Sequence, residues 1–330
     1  MKLVNMNDVA NLAGVSRGSI SNYINGKKTK LSTQKKIEEA IRSLNYVPNA
    51  TARSLKTSKS NFVVFIVPTV NSPFFSELSY HMQQELQQNG YKMILCNSNN
   101  SSKEEIEYIQ MANTQKVAGL ITMSYADVAN LVDTNIPLVS IEKRVSDDIP
   151  LVISDNYAGG RLAGEVLTNR GATRLLFISK RPVRNISAVR EKGFLDYCHE
   201  NNIAVERFLA RKRTNFIADF KRFISENIVD GSFAYDGVFS DSDEYASDFY
   251  NLLIHAGIRV PSQVQIIGFD GSRVYPRQKI ILSSIKQHTE IIAKTAVEKL
   301  LTQFDDHKVD TFFGGQTTIP ISFEKGSTTK

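Results

Sequence analysis

Residues 7–26 read NDVANLAGVSRGSISNYING, and this stretch decides how the first part of the chain folds. Apolar residues recur at helical spacing as far as Ala13, and Gly14 then supplies the positive φ that a tight turn between two helices requires. Ser16 is a good N-cap for a second helix over about residues 16–25. Two short helices joined by a glycine turn predict a helix-turn-helix, in which the second helix enters the major groove of DNA.

The outward-facing residues of the second helix carry the side chains that would meet the bases. Arg17 is the best candidate for a bidentate contact to guanine, and Asn22 can read adenine or a phosphate. Gly18 has no side chain, so it would let the backbone approach closely. Lysines after this helix would neutralise phosphates and make binding strongly dependent on salt. The predicted DNA contacts in the head are Ser16, Arg17, Gly18, Ser21, Asn22, Asn25 and Lys28.

Positive charge is concentrated at the same end of the chain. The 330 residues contain 40 Lys and Arg and 34 Asp and Glu, a formal net charge of +6. Residues 1–60 carry a net charge of +8, from eleven basic and three acidic side chains, and the other 270 residues carry −2. A plain helical bundle that touches nothing would also explain the apolar pattern of the head. The concentrated charge instead favours an anionic polymer such as DNA as its partner.

A short basic segment follows a third helix, which is predicted from Ser32 to about Leu44. The segment reads SLNYVPNATARSLK over residues 43–56, and Pro48 suits the first turn of a helix. A helix this short does not hold together unaided in water. We therefore expect it to be ordered when it pairs with a copy of itself or docks on DNA. A plain linker is the alternative.

From residue 61 onward, apolar strand-like runs alternate with amphipathic helical segments. Strands separated by helices form parallel sheets, and about ten such strands favour two doubly wound α/β subdomains over one wide sheet. The sequence therefore predicts an all-α helix-turn-helix head, a hinge and an α/β body. The expected boundaries are 1–46 for the head, 47–60 for the hinge helix and linker, and 61–330 for the body, with a first subdomain over about 61–158 and 287–312 and a second over about 159–286 and 313–327.

Polar and aromatic residues fall where the predicted strands end, which is where open parallel sheets bind ligands. Carboxylates and a guanidinium can bond to sugar hydroxyls, and aromatic rings can stack on the apolar faces of a sugar, so these residues suit a carbohydrate. Each also has an ordinary explanation, since Asp155 and Asp243 suit helix caps and Asp270 suits a turn. The predicted effector contacts are Phe74, Phe75, Asp155, Arg190, Ser242, Asp243 and Asp270.

The head and hinge together resemble the lactose-repressor (LacI/GalR) family of transcriptional regulators, whose pattern covers nearly the whole chain. The resemblance places Arg17, Gly18 and Asn22 at base-reading positions, although Asn22 stands where Arg or His is more usual and residues 28–30 fill a turn of variable length. In that family the hinge helices pair in a dimer and insert a leucine into the minor groove, which kinks the operator. This leucine corresponds to Leu55. The implied hinge contacts to DNA are Asn49, Ala52, Arg53 and Leu55.

The body is similar to the effector-binding and dimerisation core of the same repressors, which shares its fold with periplasmic sugar-binding proteins. Arg190 matches the family's ligand arginine in the pattern Arg-x-x-Gly-Phe, and Asp270 matches its strand-end aspartate. Ser242 and Asp243 match an Asn/Ser-Asp pair, and Asp155 matches an acidic residue before a helix. The resemblance is strongest to repressors of sucrose operons. It implies a homodimer that binds a pseudo-palindromic operator in double-stranded DNA and represses a carbohydrate-utilisation operon under the control of a sugar or sugar phosphate.

Sequence signatures of several enzyme classes are missing from the chain. It has no GxxxxGK[ST] phosphate loop, no GxGxxG fingerprint and no HExxH, so we expect no catalytic residue, no cofactor and no metal. Asp241, Asp243 and Glu244 form an acidic cluster that could hold a divalent cation, but a solvated helix start explains them better. The alternative function is a cytosolic sugar-binding or sugar-processing enzyme with a basic head.

Composition also bears on class and location. With 42% hydrophobic and 22% charged residues, the chain is typical of a globular protein. Its longest apolar run, residues 62–67, is too short to span a bilayer, and its first residues lack the apolar core of a signal peptide. Cys96 and Cys198 have neither metal-ligand nor redox-motif spacing, which suits a reducing cytoplasm. No heptad pattern follows Pro320, so a dimer is expected rather than a tetramer.

Overall fold

The computed structural model describes residues 4–24, 27–46, 60–123, 136–180, 186–211, 216–275, 277–304 and 315–330. The chain separates into two compact units, Met1–Ser60 and Asn61–Lys330, each with its own hydrophobic core. The predicted hinge helix, residues 47–60, lies outside the described residues except for Ser60. In the part of the chain that the structure describes, no helix is both long and apolar enough to pass through a membrane.

The described residues of the first unit form three helices, α1 (Met6–Ala13), α2 (Arg17–Ile24) and α3 (Leu31–Ser43). Gly14 ends α1 with φ 63° and ψ 37°, a left-handed conformation that glycine adopts without strain, as the predicted turn requires. Ser16 caps α2 by accepting a hydrogen bond at 3.1 Å from the backbone N–H three residues further on. The apolar faces of the helices meet in a core of Val9, Ala10, Ala13, Ile20, Ile37, Ala40 and Tyr46.

The second unit alternates strands and helices along the chain, as the hydrophobic pattern predicts. In chain order its elements are β1 (Phe62–Val67), α4 (Pro73–Gln88), β2 (Lys92–Asn97), α5 (Ser102–Thr114), β3 (Gly119–Thr122), β4 (Leu138–Ile141), β5 (Leu151–Ser154), α6 (Asn156–Asn169), β6 (Arg174–Lys180), α7 (Ile186–Glu200), β7 (Ala204–Ala210), α8 (Phe216–Glu226), β8 (Ile228–Val229), β9 (Ser232–Phe233), β10 (Gly237–Ser240), α9 (Asp243–His255), β11 (Gln265–Asp270), β12 (Ser283–Gln287), α10 (Thr289–Thr302), β13 (Gln316–Ile319) and β14 (Ile321–Glu324).

Twelve of these strands form two six-stranded sheets, and each sheet is the centre of one lobe. The first sheet has the order β13-β5-β4-β3-β1-β2, and its strands pair in parallel. The second has the order β14-β12-β11-β10-β6-β7, and β14 alone among its described strands runs antiparallel to its neighbour. β8 and β9 form a small separate hairpin. The predicted pair of doubly wound α/β subdomains is therefore confirmed.

Both sheets have a hydrophobic core on each face, which explains why their strands are nearly continuous apolar runs. In β1, Val63 and Phe65 pack into one cluster, and the residues that alternate with them pack into another. Cys96 and Cys198 belong to these cores. Burial raises the pKa of the Cys96 thiol to about 11 and that of Cys198 to about 12, so both behave as small inert hydrophobes.

The described elements show where the chain passes from one lobe to the other. The expected boundary at residue 313 moves to Pro320, because β13 pairs in parallel with β5 and so completes the first sheet, while β14 pairs with β12 in the second. The boundary expected at residue 158 moves to the start of α6 at Asn156, because this helix packs against α7 of the second lobe. α10 (Thr289–Thr302) packs against α4 and therefore lies in the first lobe.

Candidate functional sites

A cavity of about 1030 Å³ opens between the two lobes of the second unit. It lies where the parallel strands of both sheets end, the usual place for a ligand in open α/β sheets. Pro68 and Glu142 follow β1 and β4 in the first lobe, and Asp241 and Asp270 stand at the ends of β10 and β11 in the second. The cavity, called the cleft below, therefore brings together residues that are far apart in the chain.

Arg190 of α7 is a basic residue held in place at the cleft. The residue is only 4% exposed. Nε donates a hydrogen bond to Asn156 Oδ1 at 2.7 Å, and Nη1 donates one to the backbone oxygen of Asp241 at 2.7 Å. Nη1 also lies 3.7 Å from Asp270 Oδ1, and the guanidinium carbon lies 3.6 Å from the centre of the Phe269 ring. These contacts fix a planar set of donors that can meet the hydroxyls of a sugar.

The position of Arg190 depends on how closely α6 and α7 approach each other. A Cβ atom at Gly193, one turn after Arg190, would lie 2.1 Å from the backbone oxygen of Tyr157 on α6. No other residue fits there without moving one helix, so the glycine is required by the close approach. This explains physically why the pattern Arg-x-x-Gly occurs at this site.

Two aspartates, Asp243 and Asp270, share the part of the cleft formed by the second lobe. Asp243 accepts hydrogen bonds from Gly271 N at 2.8 Å and from Ser284 Oγ at 2.6 Å, and Asp270 accepts one from Gln287 Nε2 at 2.8 Å. Burial raises the pKa of Asp270 to about 7. Burial, and then the nearby charge of Asp270, raise the pKa of Asp243 well above its usual range. The site therefore holds carboxyl groups that favour a proton or a ligand that donates one in a hydrogen bond.

In the first unit, the exposed face of α2 carries the residues predicted to read DNA. Arg17, Gly18 and Asn22 are exposed there, and Ser21 is partly buried. The backbone at Gly18 is open, since a Cβ atom would meet only Ser16 Oγ, at 3.6 Å. The rest of α2 packs on the core of this unit, so the arrangement is one in which a helix can enter a groove of DNA.

Comparison with known proteins gives the family. Residues 5–49 match the family model described as bacterial regulatory proteins, lacI family, and residues 165–314 match a periplasmic binding protein-like domain. The sucrose operon repressor of Pediococcus pentosaceus is 30% identical over 333 residues, which cover 98% of this chain and 98% of that protein. The chain belongs to the lacI family. It is thus a DNA-binding transcriptional regulator and not an enzyme.

Solved structures of similar proteins have the fold of this lacI-family protein. The lac repressor dimer bound to operator and the anti-inducer ONPF is 23% identical, with a TM-score of 0.83 and coverage of 99% of both chains. A periplasmic binding protein/LacI transcriptional regulator from Alkaliphilus metalliredigens QYMF, complexed with D-xylulofuranose, is 26% identical with a TM-score of 0.70, covering 82% of this chain and all of that one.

The cleft of this lacI-family protein contains most of the residues predicted from the sequence to bind an effector. Asp155 is the exception, because it does not line the cleft. Its carboxylate caps α6 by accepting a hydrogen bond from Ala158 N at 3.0 Å, the ordinary explanation of an aspartate before a helix. Ser242 lines the cleft and also caps α9. The predicted residues that line the cleft are Phe74, Phe75, Arg190, Ser242, Asp243 and Asp270.

Sequence reasoning missed Asp241 and Glu142 as ligand candidates. Asp241 was noted only within an acidic cluster, and Glu142 was not singled out, although both directly follow strands that end at the cleft. Among the described residues, no three His, Cys, Asp or Glu side chains converge on a metal site. Lys28 is described and exposed, but the other predicted DNA contacts, Asn25, Asn49, Ala52, Arg53 and Leu55, lie outside the described residues.

Proposed function

We propose that this protein represses a carbohydrate-utilisation operon in the cytoplasm. It binds a pseudo-palindromic operator as a homodimer and changes its affinity for that operator when a sugar or sugar phosphate occupies the cleft. The observation that carries the proposal is the cleft itself, in which a fixed arginine, buried carboxyl groups and an aromatic pair converge from two lobes. The sucrose operon repressor that is 30% identical over almost the full length supports a sugar as the effector.

The chemistry of the cleft suits a polyhydroxylated ligand. Arg190 offers donors to ring or hydroxyl oxygens, and Asp270 and Asp243 offer acceptors to hydroxyl protons. Phe75 packs edge-on against Phe74 with ring centres 5.2 Å apart, which leaves an apolar surface for the carbon-bound hydrogens of a sugar. The D-xylulofuranose bound by the similar protein of Alkaliphilus metalliredigens QYMF is a ligand of this class.

Two copies of the head would bind half-sites related by a twofold axis. Arg17, Gly18, Ser21 and Asn22 on α2 would face base edges, and the lysines after α2 would contact phosphates. The hinge helices would pair on the operator, where Leu55 from each copy would kink the central step.

A ligand held by residues of both lobes would favour one angle between them, and the two copies would transmit that angle to the paired hinges. A ligand that separates the hinges induces transcription, and one that brings them together acts as a corepressor. The coupling is reciprocal, and couplings of this kind are typically about 1–3 kcal/mol.

The test measures operator binding and sugar binding on the same protein. A duplex is selected by the protein from a randomised pseudo-palindromic library, and binding is followed by fluorescence anisotropy at low salt during titration with sugars. Arg190→Ala should abolish the response to sugar and retain operator binding. Arg222→Ala, which removes an exposed arginine of α8 outside the cleft, is the matched control and should behave as the wild type.

A second variant separates the hinge from the cleft. Leu55→Ala should weaken operator binding and leave sugar affinity unchanged, because the leucine acts on DNA alone. Failure of the wild-type dimer to shift any selected duplex would contradict the proposal. Equal losses of sugar and operator affinity in Leu55→Ala would contradict the separation of the two roles.

A further inference from the structure

The described residues that line the cleft include more acidic than basic side chains, with six carboxyl groups against four basic groups. Two of the acidic residues are almost completely buried, since Asp241 is 4% and Glu142 is 6% exposed. A phosphate ester carries a charge of about −1.5 to −2 at neutral pH and above, so it needs cations to enter such a site. The acidic residues are Glu142, Asp241, Asp243, Glu244, Asp270 and Glu324. The basic residues are Lys180, Arg190, Arg273 and Lys279.

Three of the four basic side chains are already held by other groups of the protein. Arg190 has the hydrogen bonds and ring contact given above. Arg273 Nη2 lies 2.7 Å from Glu324 Oε1, and the ammonium of Lys180 lies 4.3 Å from the centre of the Tyr245 ring. A phosphate group would have to share each of these cations with the group that already holds it, which lowers the affinity that the cation could give.

Asp241 presents a hydrogen-bond acceptor that the protein leaves unused. Its Oδ2 accepts a hydrogen bond from Ser179 Oγ at 2.7 Å, and the Ser187 hydroxyl also interacts with the carboxyl group, but Oδ1 is buried and has no hydrogen-bond donor in good geometry among the described residues. Glu142 differs, because its two oxygens accept hydrogen bonds from Ser154 N at 2.8 Å and Asn156 Nδ2 at 2.7 Å. A buried acceptor without a donor costs free energy, so a donor supplied by a ligand at this point is favourable.

We propose that Asp241 is a specificity-determining residue, which accepts a hydroxyl of an uncharged sugar through Oδ1 and excludes phosphate esters from the cleft. A hydroxyl satisfies the unused acceptor, whereas an ionised phosphate group in the same position has no proton to donate and places a second negative charge beside it. This inference rests on the proposed function, because it names which of two effector classes, sugar or sugar phosphate, the cleft takes.

The experiment compares matched pairs of ligands on the full-length protein at pH 8, where a phosphate ester is almost fully ionised. Isothermal titration calorimetry is performed with D-glucose and glucose 6-phosphate, D-fructose and fructose 6-phosphate, D-ribose and ribose 5-phosphate, and sucrose and sucrose 6-phosphate. The proteins are the wild type, Asp241→Asn and Asp241→Ser. A matched control, Glu244→Gln, removes one negative charge from an exposed residue of the same cleft.

The wild type should bind the neutral member of at least one pair and prefer it over its phosphate by about ten- to a hundredfold, the range expected for one hydrogen bond to a charged group. Asp241→Asn, which is nearly isosteric, should reduce that preference at least tenfold, and Asp241→Ser repeats the test if the first variant unfolds. Glu244→Gln should reduce the preference far less than Asp241→Asn does, because the charge of Glu244 is exposed and screened by solvent.

Equal or tighter binding of a phosphate by the wild type would overturn the inference and leave the proposed function intact. Equal loss of preference in Asp241→Asn and Glu244→Gln would also overturn it, since the overall charge of the cleft would then decide specificity. Binding of neither member of any pair would overturn the inference together with its basis, the sugar-responsive function.

Discussion

Replacing Asp270 by Asn should make the effector-free protein more stable at alkaline pH. Burial raises the pKa of this carboxyl group from an ordinary value of 3.8 to about 7. The folded protein therefore holds a proton at a pH where the unfolded chain has released it, and stability falls as the pH rises from about 4 to about 7. Asparagine cannot ionise, can still accept the hydrogen bond from Gln287, and removes a negative charge from the neighbourhood of Asp243.

The magnitude follows from the two pKa values. One pKa unit corresponds to about 1.4 kcal/mol, so raising the pKa from 3.8 to about 7 destabilises the folded state by about 4 kcal/mol once Asp270 is fully ionised. At pH 5 less than half of that penalty has developed. The free energy of unfolding of the wild type should therefore fall by about 3 kcal/mol between pH 5 and pH 8 because of this group. The free energy of unfolding of Asp270→Asn should fall by correspondingly less over the same range.

The assay is urea unfolding at pH 5 and pH 8, followed by far-ultraviolet circular dichroism on protein freed of sugar by dialysis. Asp230→Asn is the matched control, because Asp230 is an exposed aspartate in the turn between β8 and β9. It should retain the wild-type difference between the two pH values. A destabilised Asp270→Asn at pH 8, or one with the wild-type pH dependence, would refute the reasoning. The same variant should bind sugar more weakly, so that stability and effector binding change in opposite directions.

Three further substitutions test the packing that supports the two sites. Gly193→Ala places a methyl group 2.1 Å from the backbone oxygen of Tyr157, so it should lower the melting temperature of the body and weaken sugar binding. An unchanged melting profile in calorimetry would contradict the close approach of the two helices. Ser16→Ala removes the N-cap of α2 and should lower the stability of the head by about 1 kcal/mol, measured by thermal unfolding of a fragment of residues 1–60. A stability equal to that of the wild-type fragment would show that the cap contributes nothing. Phe239→Ala empties a fully buried site between the rings of neighbouring phenylalanines, so it should lower the free energy of unfolding in urea by about 3–5 kcal/mol. A loss below about 1 kcal/mol would mean that the core collapses to fill the gap.

Most elements could be predicted from the sequence because their signals are local. The strands β1 and β10 are buried on both faces and are therefore short apolar runs, and α4 begins at the proline that its first turn tolerates. β12 gave no such signal, because it contains the buried polar residues Ser283 and Ser284. The backbone N–H of Ser283 donates a hydrogen bond to Thr328 Oγ1 at 2.8 Å, and the Ser283 hydroxyl lies 2.8 Å from Thr329 Oγ1. These partners lie near the end of the chain, so hydrophobic periodicity around Ser283 cannot reveal them.

The cleft could be predicted in part. The rule that ligands bind at strand ends selected Arg190 and Asp270, and the structure brings them to within 3.7 Å of each other. The same rule also selected Asp155, which caps a helix and does not line the cleft, because a cap and a ligand residue have the same local sequence. Asp241 was missed as a ligand candidate, because the lack of a hydrogen-bond donor at its Oδ1 can be seen only in the tertiary structure.

The sequence by itself determined the helix-turn-helix, the placement of positive charge in the head and the alternation of strands and helices. These depend on residues within a few positions of one another, such as Gly14 and Ser16 at the turn. Only the tertiary structure decided the order of the strands, the passage of the chain between lobes at Pro320 and the composition of the cleft. The physical reason is distance along the chain. Ser154 Oγ donates to Gln287 Oε1 at 2.6 Å across 133 residues, and contacts of that kind exist only once the two lobes have formed.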